Sequence, residues 1–203
     1  MRVLGVDPGT RITGWGIIDV SGSRLTRVDS GILRLGSGEL SGRLAAIHAA
    51  ISSIISEHEP TAASLERNFV ARNVQSALRL GEARGAIMAA VAGRSLALTE
   101  YTPATVKKAV VGHGRAGKSD VQETMVRLLR LPELPTEDEA DALAVAACYA
   151  LRSGYDGKVS EALGGRAGAK TPRPVHRSRG LSEVAKGVLA KQAKRVRRGG
   201  VDT

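Results

Sequence analysis

Val3-Leu4-Gly5-Val6-Asp7-Pro8-Gly9-Thr10-Arg11-Ile12-Thr13-Gly14-Trp15-Gly16-Ile17-Ile18-Asp19 is the stretch on which the architecture of this 203-residue chain turns. Val3 to Val6 is an apolar run of strand length, Asp7-Pro8-Gly9-Thr10 is a turn, and Ile12 to Asp19, broken by Gly14 and Gly16, is a second run. The two read as adjacent strands. Arg24 to Leu35 alternates loosely and completes a meander. Leu40, Leu44, Ile47, Ile51, Ile54 and Ile55 then recur at helical spacing and predict a helix over 40–57, closed by Glu59-Pro60. Downstream the pattern predicts a strand from Ala62 to Phe69, an Ala- and Gly-rich helix from Val74 to Ala92, and a fifth strand from Ser95 to Thr99. Thr102-Pro103-Ala104 opens a short helix, Gly112 to Lys118 is a Gly-rich basic loop, and Ser119 reads as the cap of a helix reaching Leu131. Thr136-Glu137-Asp138-Glu139 matches a capping box, with Thr136 as N-cap and Glu139 at N3, ahead of the apolar run Ala142 to Leu151. A meander leading into crossover units is an α/β fold.

Thirty Lys and Arg stand against 20 Asp and Glu, giving a formal net charge of +10, and the surplus is not spread evenly. Residues 1–150 are within one charge of neutral, whereas 151–203 carry 13 basic and 4 acidic residues. The expected division is therefore a near-neutral body over 1–153 and a basic tail over 154–203. Glycines and the Thr171-Pro172-Arg173-Pro174 stretch interrupt that tail, and it buries too little apolar area to repay ordering, so it reads as disordered. Such a charge run suits a phosphate-backbone partner and adds non-specific affinity, although a solvated, solubilising run has the same composition. Cys148 is the single cysteine, which excludes an intrachain disulfide and suggests a reducing, cytoplasmic setting. No window has the roughly 18 apolar residues of a membrane span, and Asp7 interrupts the N-terminal run where a signal peptide needs none.

The acids carry the chemistry. Asp138 and Asp141, three apart on a helix, lie on one face with Cβ atoms about 5–6 Å apart. Two carboxylates so placed repel, and Asp141 leads directly into an apolar run where ionisation is costly. Complementing the helix dipole accounts for Glu137 and Asp138 but poorly for Asp141. Asp7 and Glu66 each end an apolar strand. Taken singly these are ordinary strand-end charges; brought together with the helix, the four would hold four negative charges. Oxygen donors with no His or Cys nearby in sequence select a hard divalent cation such as Mg²⁺ or Mn²⁺. A pair of such ions about 4 Å apart is the arrangement that cleaves phosphodiesters.

Five motifs in this order, Gly5-Val6-Asp7-Pro8-Gly9, Glu66-Arg67-Asn68-Phe69, Leu80-Gly81-Glu82-Ala83-Arg84-Gly85, Val110 to Lys118 and Asp138 to Ala144, together resemble the RuvC Holliday junction resolvases over residues 1 to about 153. The resemblance implies an RNase H-like fold, a mixed five-stranded sheet flanked by helices. It implies that Asp7, Glu66, Asp138 and Asp141 are the catalytic, metal-binding acids, with two Mg²⁺ per active site and Mn²⁺ as a substitute. It implies a homodimer that nicks two strands of like polarity in a four-way junction, leaving 5′-phosphate and 3′-hydroxyl ends, and a RuvA–RuvB branch-migration complex as partner.

The resemblance also implies DNA contacts. Phe69, which could equally pack in a core, matches an aromatic that stacks on a base, a contact worth about 1–3 kcal/mol. Lys107, Lys108, Arg115 and Lys118 cluster around glycines that open backbone N–H groups to phosphate, though a solvated loop has the same composition. By match, Lys107 and Lys118 are the leading contacts. The small-faced helix from Val74 to Ala92 suits either tight packing on the sheet or a two-fold interface. Other readings are an actin-like phosphotransferase, which needs a second half for which the chain has no room, a non-enzymatic junction-binding protein, which needs no acids, and a YqgF-type nuclease acting on RNA.

Overall fold

The computed structural model describes residues 1–67 and 73–162, the last nine of these as helical backbone only. Contiguous packing divides the chain into two units, Met1–Thr171 and Pro172–Thr203, and the second lies wholly outside the described residues. Strands β1 (Arg2–Asp7), β2 (Ile12–Ser21) and β3 (Arg24–Arg34) form the expected antiparallel meander, with Gly5 opposite Gly16 and Asp7 opposite Gly14. Helix α1 (Leu40–His58) follows, then β4 (Ala62–Glu66), α2 (Val74–Gly93) and β5 (Ala97–Tyr101). The two crossovers add β4 parallel to β1 and β5 parallel to β4, so the sheet order is β3-β2-β1-β4-β5. Helices α3 (Pro103–Val111), α4 (Lys118–Leu129) and α5 (Glu137–Ala162) complete the order. This is the mixed five-stranded sheet flanked by helices of the RNase H-like class.

Because successive side chains point to opposite faces of a strand, the sheet separates two cores. Leu4, Val6, Ile17, Ala63 and Leu65 face α1 and α2, meeting Ile47, Ile51, Ile54, Ile55, Ile87 and Val91. Val3, Ile18 and Leu25 face α3, α4 and α5, meeting Val121, Met125, Leu129 and Leu143. Helix α5 is buried all round from Ala142 to Cys148, as a helix clasped between a sheet and two other helices must be. Its alanines let it lie close to the strands. A Cβ added at Gly5 would stand 2.2 Å from the Ala142 carbonyl oxygen, and one at Gly16 would stand 2.7 Å from Leu143 Cδ2. The glycines that break the second run are thus the floor of a groove into which α5 settles. Buried Ser64 Oγ secures the contact, donating between Leu4 O and Val145 O, each at 3.2 Å.

Several boundaries differ from the sequence reading. The fifth strand starts two residues later, at Ala97, because Ser95 takes a left-handed turn (φ 54°) with its N–H on Ala92 O and Leu96 N donates to Val91 O. Ser119 is not the cap of α4. Gly117 is, its N–H donating to Asp120 Oδ2 at 2.8 Å, and the helix stops at Leu129 because Arg130 turns left-handed. Helix α5 runs through Gly154 and Gly157 to Ala162, past the apolar run that ends at Leu151. Strand β4 ends at Glu66; Phe69 lies outside the described residues. Thr136 O does accept from Ala140 N at 2.9 Å, as an N-cap should. Glu139, however, turns to β3, accepting from Ser30 Oγ at 2.5 Å with Arg27 Nη1 at 3.6 Å.

Among the described residues no helix is long and apolar enough to cross a membrane. Cys148 is buried in α5, and burial pushes its thiol pKa up to about 11, which makes it unreactive near neutrality.

Candidate active site

Asp7 and Glu66 are the last residues of β1 and β4, parallel neighbours in which Val6 stands opposite Leu65. Strand alternation puts Asp7 on the face of Gly5 and Glu66 on the face of Ser64. Gly5 and Ser64 both touch α5, so both carboxyl groups emerge on the side that α5 covers. The first turns of α5 bring Asp138 and Asp141 to the same end. Gly14, the cross-strand partner of Asp7, lies under the backbone of Asp138: a Cβ there would be 2.0 Å from the Asp138 carbonyl oxygen. Absence of a side chain at Gly14 is what lets the helix start drop onto the strand ends. Three segments far apart in sequence therefore deliver four acids to one end of the sheet.

Asp7 senses all of the others. Its pKa is raised well above the usual carboxylate range, first by burial, then by the charge of Glu66 and a carboxyl-to-carboxyl hydrogen bond with it, and then by Asp141 and Asp138. Asp141 is also raised, chiefly by burial; Lys118 and Lys107 pull it down, while Asp138 and Glu137 push it up.

These shifts carry a sign for stability. A carboxyl whose folded pKa lies above its unfolded value favours the fold while protonated, and that contribution fades as pH rises through the raised folded pKa. Asp7→Asn, which cannot ionise, is therefore expected to melt higher than wild type at pH 8 in EDTA. The gap should close as pH falls below the raised pKa, which thermal melts across pH 4–8 would check.

The donor set fits divalent cations in kind: four oxygen donors, negative, crowded and partly desolvated. As they stand the carboxylates are not closed into a cage, since no three described His, Cys, Asp or Glu side chains are gathered tightly enough to enclose an ion. The fit rests on donor chemistry and charge.

The basic residues divide into two groups. Lys107, half-buried on α3, donates from Nζ to Ala116 O at 2.6 Å, and Lys118, the first residue of α4, sits 2.5 Å from Glu137 Oε2. Both act on Asp141. Lys108 and Arg115 are exposed on the same segments and are not among the charges acting on Asp7 or Asp141. Phe69 cannot be placed relative to the acids, because it lies outside the described residues.

Several residues around the site were not foreseen. Buried Thr13 ties down the turn after Asp7, its Oγ1 donating to Gly9 O at 2.8 Å, and Arg43 Nη1 donates to Thr10 O at 2.7 Å from α1. Glu137 and Glu139, read only as helix-start acids, bind Lys118 and Ser30. Facing glycines at 5, 14 and 16 were the one available signal, and they read as strand interruptions rather than as a seat for a helix.

Comparison with known proteins places this geometry. The chain matches the family described as Crossover junction endodeoxyribonuclease RuvC over residues 3–149. It is 45% identical to the protein of that name from Burkholderia cenocepacia (strain HI2424) over 180 residues, covering 89% of this chain and 98% of the relative. It is 49% identical to the one from Alkalilimnicola ehrlichii over 148 residues, 73% of this chain and 90% of the relative. Among solved structures, T. thermophilus RuvC in complex with Holliday junction substrate superposes with a TM-score of 0.73 at 29% identity, over 76% of this chain and 96% of that one.

Proposed function

Since the chain belongs to the RuvC family of crossover junction endodeoxyribonucleases, we propose that Asp7, Glu66, Asp138 and Asp141 form the centre with which it cuts four-way junction DNA. It is a divalent-metal-dependent nuclease that resolves Holliday junctions. The observation carrying the residue assignment is the effect of Glu66, Asp141 and Asp138 on Asp7, from three segments that otherwise share no chemistry. The metal is Mg²⁺, two ions per site, which four carboxylates neutralise, with Mn²⁺ accepted in its place. When bound, the ions supply an activated water and stabilise the leaving 3′ oxygen in an in-line displacement at phosphorus.

The chain's own groups hold and orient the substrate. Asp7 and Glu66 fix one side of the centre from strand tips, where the sheet leaves them little freedom, and Asp138 and Asp141 close it from a helix that cannot slide. Lys107 and Lys118 place positive charge beside Asp141 and attract the scissile phosphate; Lys108, Arg115 and the N–H groups of the Gly112–Gly117 loop hold flanking phosphates. Phe69, in the segment joining β4 to α2, stacks on an opened base. The products carry 5′-phosphate and 3′-hydroxyl ends, and the two nicks fall on strands of like polarity.

Two nicks require two centres, and α2 supplies the means. Its outward stripe, Val74, Leu78, Gly81, Gly85 and Met88, is exposed, with Val74 at 78% and Leu78 at 64%, and both glycines face open space. That stripe is the surface on which a second copy docks as a symmetric homodimer. Leu78→Asp is expected to yield a monomer in light scattering and to uncouple the two nicks. A dimer of wild-type size would remove the assignment of this face. The enzyme works in the cytoplasm on junctions delivered by the RuvA–RuvB motor, and the basic 154–203 tail adds non-specific affinity.

The decisive assay sets a four-way junction against linear duplex and single strand, with and without Mg²⁺. Paired nicks confined to the junction and to the metal are expected. Equal cutting of linear duplex would overturn the proposed substrate.

A further inference from the structure

Lys118 occupies an electrostatically poor position. It is the first residue of α4, where the positive end of the helix dipole disfavours a cation, yet its ammonium is compensated by Glu137, 2.5 Å away. Glu137 is in the opposite situation. As the first residue of α5 it is stabilised by that helix's positive end whether or not Lys118 is present. The partnership is therefore one-sided: Lys118 needs a counter-charge, and Glu137 does not need Lys118. Both side chains are well exposed, at 66% and 55%, so neither is trapped and water can replace either partner. Glu137 also immediately precedes Asp138, which puts the pair at the rim of the acid pocket.

From this arrangement we infer that Glu137 is a releasable counter-ion for Lys118, a positioning residue that an incoming phosphate must displace before Lys118 can bind it. The inference rests on the reading of Lys118 as a phosphate contact. A carboxylate and a phosphodiester each offer a single negative charge to the ammonium, so a loosely touching backbone gains little by the exchange. A phosphate held as well by Lys107 and the loop N–H groups completes it. Glu137 thus raises the threshold for productive engagement.

Steady-state kinetics on a four-way junction with Mg²⁺ at low salt would test this. Glu137→Gln should lower KM by about two- to fivefold with kcat unchanged, the range expected for release of one exposed pair. The gain should vanish at high salt, where exposed pairs are screened. It should also vanish in a Lys118→Gln background. Glu133→Gln, which removes one negative charge from the neighbouring loop, should leave KM near wild type. An equal gain in the Lys118→Gln background, an equal gain from Glu133→Gln, or a fall in kcat with KM unchanged would each overturn the counter-ion role. Should Lys118→Gln alone behave as wild type, the reading of Lys118 fails and the role of Glu137 with it; a defective Lys118→Gln with an undiminished Glu137→Gln effect removes the latter only.

Discussion

Asp7→Asn should reduce Mg²⁺-dependent junction cutting by about a thousandfold or more while junction binding survives. Replacing the carboxylate by an amide keeps the volume and one oxygen but removes a negative charge from a group on which all three other acids act. Metal-ion stabilisation of the transition state is worth several kcal/mol, and about 4 kcal/mol corresponds to a thousandfold in rate. On the proposed assignment, binding draws instead on Lys107, Lys108, Arg115, Lys118 and the proposed dimer, none of which is altered. Less negative charge near the phosphate should if anything tighten it. Asp141→Asn should behave in the same way. Gel shifts of a labelled junction alongside single-turnover cleavage separate the two quantities, and cutting within tenfold of wild type would remove both residues from the centre. The same Asp7 variant is the one expected to melt higher in EDTA at pH 8, so loss of activity with gain of stability distinguishes loss of chemistry from loss of fold.

A second large effect is expected from a methyl group. Gly5→Ala puts a Cβ 2.2 Å from Ala142 O and 2.6 Å from Ala146 N. Both are backbone atoms in the middle of a helix clasped on all sides, so neither can swing away and α5 must lift as a whole. Overpacking costs about 1–3 kcal/mol and sometimes more. With rigid backbone on both sides, a value near the top of that range is expected, out of roughly 5–15 kcal/mol for a whole domain. The melting temperature should fall by about 6–12 °C. Activity should fall further than the folded fraction does, because Asp138 and Asp141 ride on the displaced helix. Gly42→Ala is the control: it lies in α1 with nothing within 4 Å and should stabilise by up to about 1 kcal/mol. A Gly5→Ala protein with wild-type melting would mean that the groove does not set the seat of α5.

How much of this was legible follows from what each signal measures. The meander, α1 and the helix start at Thr136 could be read because periodicity and capping are local properties. Asp7 and Glu66 could be singled out because a carboxylate at the end of an apolar run is expensive, and Asp138 with Asp141 because they share one face of a helix; that the four form one centre is the proposal. The start of β5 could not be read, since it depends on the left-handed turn at Ser95. Ser119 did not cap α4 because the Asp120 side chain accepts the Gly117 N–H, which makes Gly117 the cap. Helix α5 runs on through Gly154 and Gly157, since an isolated glycine weakens a helix by about 1 kcal/mol without ending it. Glu137 escaped notice for a different reason. Its partner is 19 residues away on another helix, and its helix-start position already sufficed to explain it.

The division of the interior by the sheet has an evolutionary consequence. All four acids are supported from the layer that holds α5, while the face proposed for a second subunit belongs to the layer of α1 and α2. Substitutions that tune how tightly two subunits associate can therefore accumulate without disturbing the hydrolytic apparatus, and the free-energy effects of changes in the two layers should combine additively. A lineage could drift in assembly strength while its bond-breaking apparatus stayed fixed.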